Sequence, residues 1–152
     1  MPSSIRRAML QAGFAREWRM IRTMFSVMLG MVVAMMVMLG LEFVGAWMVP
    51  MPTEPLADET DLAQIVANAP TGKLVWVLSG WLLAAVCGGW VAARLARVHR
   101  MGAAIAVGVL IVLGVVLNAW MLPHPLWMIL LGVIGPIPLA WSGGRLALRR
   151  LR

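Results

Sequence analysis

Four long apolar stretches, roughly residues 24–49, 74–93, 101–122 and 126–142, run through this chain. A bilayer's hydrocarbon core is about 30 Å thick and takes about 20 helical residues at 1.5 Å rise each. The first stretch is long enough to tilt, and the last is short enough to leave part of its end among headgroups. The chain is 62% apolar and 12% charged, far from the balance of a soluble domain. Within hydrocarbon every backbone N–H and C=O needs a partner in its own segment, which selects helices. The expected fold is an all-α integral membrane protein, a four-transmembrane-helix bundle. A basic segment at 1–23 precedes the transmembrane domain 24–143, which carries an external loop at 50–73, and a basic tail follows at 144–152. The first apolar run is too long for a signal peptide, and Pro50 and Pro52 follow it where a small-residue cleavage site would stand. It is expected to be retained as a span.

Charge orients the spans. Arg6, Arg7, Arg16, Arg19 and Arg22 precede the first; Arg94, Arg97 and Arg100 join the second and third; Arg145, Arg149, Arg150 and Arg152 follow the fourth. Twelve of the thirteen Lys and Arg residues therefore fall on one side of four alternating spans. The first connection instead holds Glu54, Asp58, Glu59 and Asp61, with Lys73 as its one base. Short-loop Lys/Arg bias predicts a multi-pass protein with both termini cytoplasmic. Membrane lipids are the expected partners of these arginines, and no nucleic-acid partner is expected, because orientation and anionic headgroups already account for basic residues beside spans. The stretch IRRAMLQAGFAREWRMIR reads either as a short interfacial helix or as a flexible tail. Trp47, Trp76, Trp120 and Trp127 fall near outer ends, and Trp18, Trp90 and Trp141 near inner ends, the depths where indole meets both lipid and water.

Two phrases recur. AWMVPMP at 46–52 returns as AWMLPHP at 119–125, and CGGWVAARLAR at 87–97 is echoed by SGGRLALRRLR at 142–152. The pattern suggests two parallel repeated hairpins, the first with a longer external connection. That connection begins with Pro50, Pro52 and Pro55 and carries an expected short helix from Asp58 or Thr60 to Ala69. Gly80, Ala84, Gly88 and Ala92 on span two, and Ala104 and Gly108 on span three, recur at four-residue spacing. Small residues let helix backbones approach, either within one chain or between two. Cys87 has no internal disulfide partner and reads as a packing residue. Pro136 and Pro138 interrupt span four and mark a candidate hinge, with a static bend as the plainer reading.

Glu42 is the one acid inside a predicted span. A carboxylate in hydrocarbon must be neutralised, paired or turned to a wet interior. Lys73, Asn118 and His124 are its candidate partners, in a polar clamp or in a transport site. Met24, Met28, Met31, Met35 and Met38 lead toward Glu42 along one helix face. They read as packing, with soft Cu(I) ligation as the alternative. His99 and His124 fall on opposite membrane sides and do not grip one haem. No metal or other cofactor is expected. The sequence carries no Gly-rich nucleotide loop, zinc spacing or nucleophile elbow, and enzyme activity is not expected.

The P-x-P exit from span one, the DETDLAQIVANAP segment, CGGWVAARLAR and PHPLW together resemble an uncharacterised family of small four-span bacterial inner-membrane proteins. The resemblance covers about residues 24–147 and leaves the Arg-rich N-terminal stretch unexplained. It implies a bacterial inner-membrane location and no particular reaction. The expected role is a noncatalytic integral membrane component, assembly or envelope-associated. The alternative is a small homodimeric transporter for a solute or cation. A second copy or another membrane protein is the expected protein partner.

Overall fold

The computed structural model describes the backbone of residues 3–48, 64, 66 and 69–149, and the side chains of that set from residue 17 onward. Every element there is helical: α1 (Ser3–Met48), α2 (Thr71–Leu95), α3 (Arg100–Met121), α4 (Leu126–Ile134) and α5 (Pro136–Arg149). Four stretches are long and apolar enough to cross a membrane: Glu17–Met48, Thr71–Leu95, Arg100–Met121 and Leu126–Arg149, the last combining α4 and α5. The expected external helix, Pro50, Pro52, Pro55 and the four loop acids lie outside the described residues, as do Arg150 and Arg152.

The N-terminal stretch corrects both sequence readings. It is neither a separate interfacial helix nor a tail, because α1 continues from Ser3 into span one without a break. Its 46 residues reach about 69 Å, roughly twice the hydrocarbon thickness.

The helices start and stop where chain chemistry requires. Pro70 and Pro125 occupy the N-cap positions of α2 and α4, both with extended backbone. In both, the proline carbonyl accepts from the third and fourth residues on: Lys73 and Leu74 in one case, Met128 and Ile129 in the other. A proline has no N–H to strand at a helix start and its φ is already helical. α3 ends at Met121, and Leu122 turns extended before Pro123, as the residue before a proline prefers. In span four, Pro136 and Pro138 remove two donors from the ladder. The interruption falls at Gly135, which stays helical (φ −71°, ψ −45°) and donates to Leu131 O at 2.9 Å, while Leu139 donates to Gly135 O at 3.2 Å. The span bends without unwinding.

Small residues hold the bundle together. Its principal core includes Ala34, Ala84, Ala85, Ala92, Ala103 and Ala140, with Val107, Ile111 and Val115 as the larger members. Lipid supplies little drive to bury one apolar side chain against another, so association depends on dispersion contacts and close backbone approach. A Cβ built on Gly30 of α1 would lie 2.7 Å from Gly88 O of α2. One on Gly144 of α5 would lie 2.8 Å from Ala104 Cβ of α3. Toward their arginine-bearing ends the two hairpins are thus closed alike. Between hairpins, Gly89 abuts Ala140 O and Gly143 abuts Val86 O, so α2 and α5 cross at the two Gly-Gly pairs. The predicted stripes on spans two and three join helices within the chain: Gly88 meets α1, and a Cβ built on Gly108 would lie 3.0 Å from Pro136 O, Ile137 Cα and Ala140 Cβ. α1 packs on the group along one side only and exposes Met28, Met36, Leu39, Phe43 and Trp47.

Candidate functional site

The polar groups singled out in the sequence divide into three places. At the end of the bundle opposite the arginines, Lys73 Nζ of α2 lies 3.6 Å from Glu42 Oε2 of α1. The lysine side chain is 11% exposed and the carboxylate 49%. One turn along α2, Trp76 donates its indole N–H to Leu41 O at 2.8 Å. Gly45 makes room for both: a Cβ there would lie 2.6 Å from Trp76 Nε1 and 3.3 Å from Lys73 Nζ. Lys73 and Trp76, three apart on one helix face, therefore clasp the last turns of α1. A half-exposed ion pair contributes about 0–1 kcal/mol. The indole bond adds roughly 1 kcal/mol.

His124 is not part of this clasp. Its Nδ1 lies 3.0 Å from Leu122 O, and its ring stands 6.0 Å from that of Trp81, tilted by 54°. Asn118 is elsewhere again. It lines a groove of about 260 Å³ with Met31, Met35 and Met38 of α1, Trp81 of α2, and Ile111, Gly114 and Val115 of α3. The five-methionine face thus splits. Met31 and Met38 pack against the core, Met35 joins them at the groove, and Met24 and Met28 project outward. Among the described residues, no three His, Cys, Asp or Glu side chains gather as a metal site. Cys87 is free and partly buried.

Two tryptophans matter more than the sequence reading assigned. Trp76 lies near the start of α2, and its indole N–H donates to Leu41 O of α1. Trp81 fell outside both expected belts. It packs on Gly132, where a Cβ would meet its ring at 3.0 Å, and it separates His124 from the Asn118 groove. Its place ten residues into α2, about 15 Å from the helix start, was the available signal for an interior role.

At the opposite end, Arg94 lies over the Trp90 ring at 5.3 Å and Arg145 over Trp141 at 3.9 Å. Each pair is four residues apart on one helix, a cation–π arrangement. Arg100 donates to Ala96 O at 2.9 Å.

The chain is a multi-pass integral membrane protein. Four apolar spans packed through glycine and alanine seams carry that conclusion. No family model, curated protein or solved structure matches it.

Proposed function

We propose that this protein is a noncatalytic membrane component, assembly or envelope-associated, acting through its packed surfaces. The supporting observation is the Glu42–Lys73 pair. The one acid in the apolar run 24–49 is answered within the chain at a helix end, beside the Trp76 bond, in the manner of a structural clasp. The bundle axis is filled by Ala34, Ala84, Val107 and Ile111. Every described buried side-chain N and O atom has a hydrogen-bond partner. We propose a bacterial inner membrane, on the resemblance of the P-x-P and PHPLW motifs, with both termini cytoplasmic, on the strength of the arginine distribution. Single cysteines at Thr71 and Arg149, in a Cys87→Ser background, should label from opposite sides of intact membranes. Same-side labelling would reject that orientation.

The second reading is a homodimeric transporter for a solute or cation. Asn118 favours it, as an amide on an open groove among three methionines. Transport requires a polar path with alternating access, and Glu42 does not line that groove. Pro136 would serve that reading as a hinge, but it is fully buried and a Cβ built on Gly108 would lie 3.0 Å from its carbonyl O, a close approach that suits a static bend. The test is a flux screen of the purified protein in phosphatidylcholine vesicles across cations and small solutes. The structural reading expects no flux above empty vesicles. Flux abolished by Glu42→Gln in a folded protein would replace it with the transporter reading.

A further inference from the structure

The arginine end contains a cavity that the bundle itself does not explain. Arg19 and Arg22, one turn apart on α1, and Arg97 in the α2–α3 connector line a space of about 370 Å³ with Trp18 and Val98. Three guanidinium groups around one space repel each other unless an anion sits among them. Among the described residues, no carboxylate lines the cavity. Among the described residues the sole ion pair is Lys73 with Glu42, at the far end of the bundle. The neighbouring basic groups are engaged differently: Arg94 and Arg145 by indole rings, Arg100 by a carbonyl.

The backbone commits strain to this place. His99 follows Arg97 and Val98 in the left-handed conformation, φ 54° and ψ 40°. That turn, costly for a residue with a Cβ, carries the connector back into α3 and sets Arg97 opposite α1. A second space of about 350 Å³ shares Trp18 and Arg22 with the cavity and continues along Ile21, Phe25 and Leu29 against Leu95. Ile21, Phe25 and Leu29 are spaced by four, so they form one stripe descending about 12 Å into the span. A cationic mouth therefore opens onto an apolar groove.

We infer that this is a binding site for an anionic phospholipid. Its phosphate is held among Arg19, Arg22 and Arg97, and one acyl chain lies along the Ile21–Phe25–Leu29 stripe. The planar guanidinium fork matches phosphate oxygens in pairs. Basic pockets between spans are suited to anionic headgroups. The bound lipid ties α1, which packs on one side only, to the connector between α2 and α3. This inference is independent of whether the protein transports anything.

The test uses the full chain in a neutral detergent. Phosphatidylglycerol, phosphatidylcholine or inorganic phosphate is added, and lipid retention is read by native mass spectrometry beside thermal unfolding. Phosphatidylglycerol is expected to be retained at least tenfold more than phosphatidylcholine and to raise the unfolding temperature by several degrees. Inorganic phosphate should protect far less. Arg97→Gln and the double variant Arg19→Gln/Arg22→Gln should each cut phosphatidylglycerol retention about tenfold. Arg149→Gln, an equal charge change outside the cavity, should leave it within twofold. Arg97→Lys keeps the charge but loses the fork and should weaken retention severalfold, which serves if Arg97→Gln does not fold. Equal retention of both lipids, an equal loss in Arg149→Gln, or full protection by inorganic phosphate alone would each overturn the site.

Discussion

Replacing Gly88 with alanine isolates what the helix seams contribute. A methyl group there would lie 2.7 Å from Gly30 O, 3.0 Å from Ala34 Cβ and 3.0 Å from Val107 Cγ1. Ordinary contact begins at 3.4 Å, so α1 must retreat by about 0.7 Å, and its nearest atom is backbone that cannot rotate aside. Two effects oppose. Alanine stabilises a helix interior by about 1 kcal/mol over glycine. Overpacking a close seam costs about 1–3 kcal/mol. Gly40, on the same helix as Gly30, supplies the first effect alone, because a methyl there meets nothing within 4 Å. Gly40→Ala should therefore be neutral or stabilising by up to about 1 kcal/mol, and Gly88→Ala should fall about 1–3 kcal/mol below it. Reversible unfolding in mixed micelles with increasing dodecyl sulfate, followed by far-ultraviolet circular dichroism, measures both. Equal stabilities for the two variants would refute the claim that close approach at Gly88 holds α1 in place.

Two further substitutions probe the ends of the bundle. Trp76→Phe keeps the ring but removes the donor to Leu41 O, and it should cost about 0.5–1.5 kcal/mol in the same unfolding assay; no loss would mean that the indole bond contributes nothing net. His99→Gly relieves a left-handed residue and should be neutral or stabilising by about 1 kcal/mol, whereas His99→Val should lose more than about 1 kcal/mol. The same response to both would show that the turn is not strained.

Much of the candidate site was readable because its residues are chemically out of place. Glu42 stands out in a run of Met, Val and Leu, and Lys73 was the one base on its side of the chain. Their pairing required only that spans one and two form a hairpin. Asn118 and His124 stood out in the same way, yet neither reaches Glu42. Asn118 faces the methionine groove and His124 faces Trp81, because helix rotation separates residues of similar depth. The cluster of Arg19, Arg22 and Arg97 was legible as charge but not as a cavity. Its walls come from two elements 75 residues apart, and the left-handed His99 that aims one of them has no sequence signature.

Hydrophobicity and proline placement determine the spans and their ends, since each depends on a residue's own cost of leaving or entering water or on its own backbone. Which faces meet is a different matter. In lipid every face is apolar, so hydropathy cannot rank them, and the choice falls to shape: Gly30 against Gly88, Gly89 against Ala140, Gly143 against Val86. Contacts at this range depend on tenths of an ångström between backbones, and only the assembled bundle brings those backbones together.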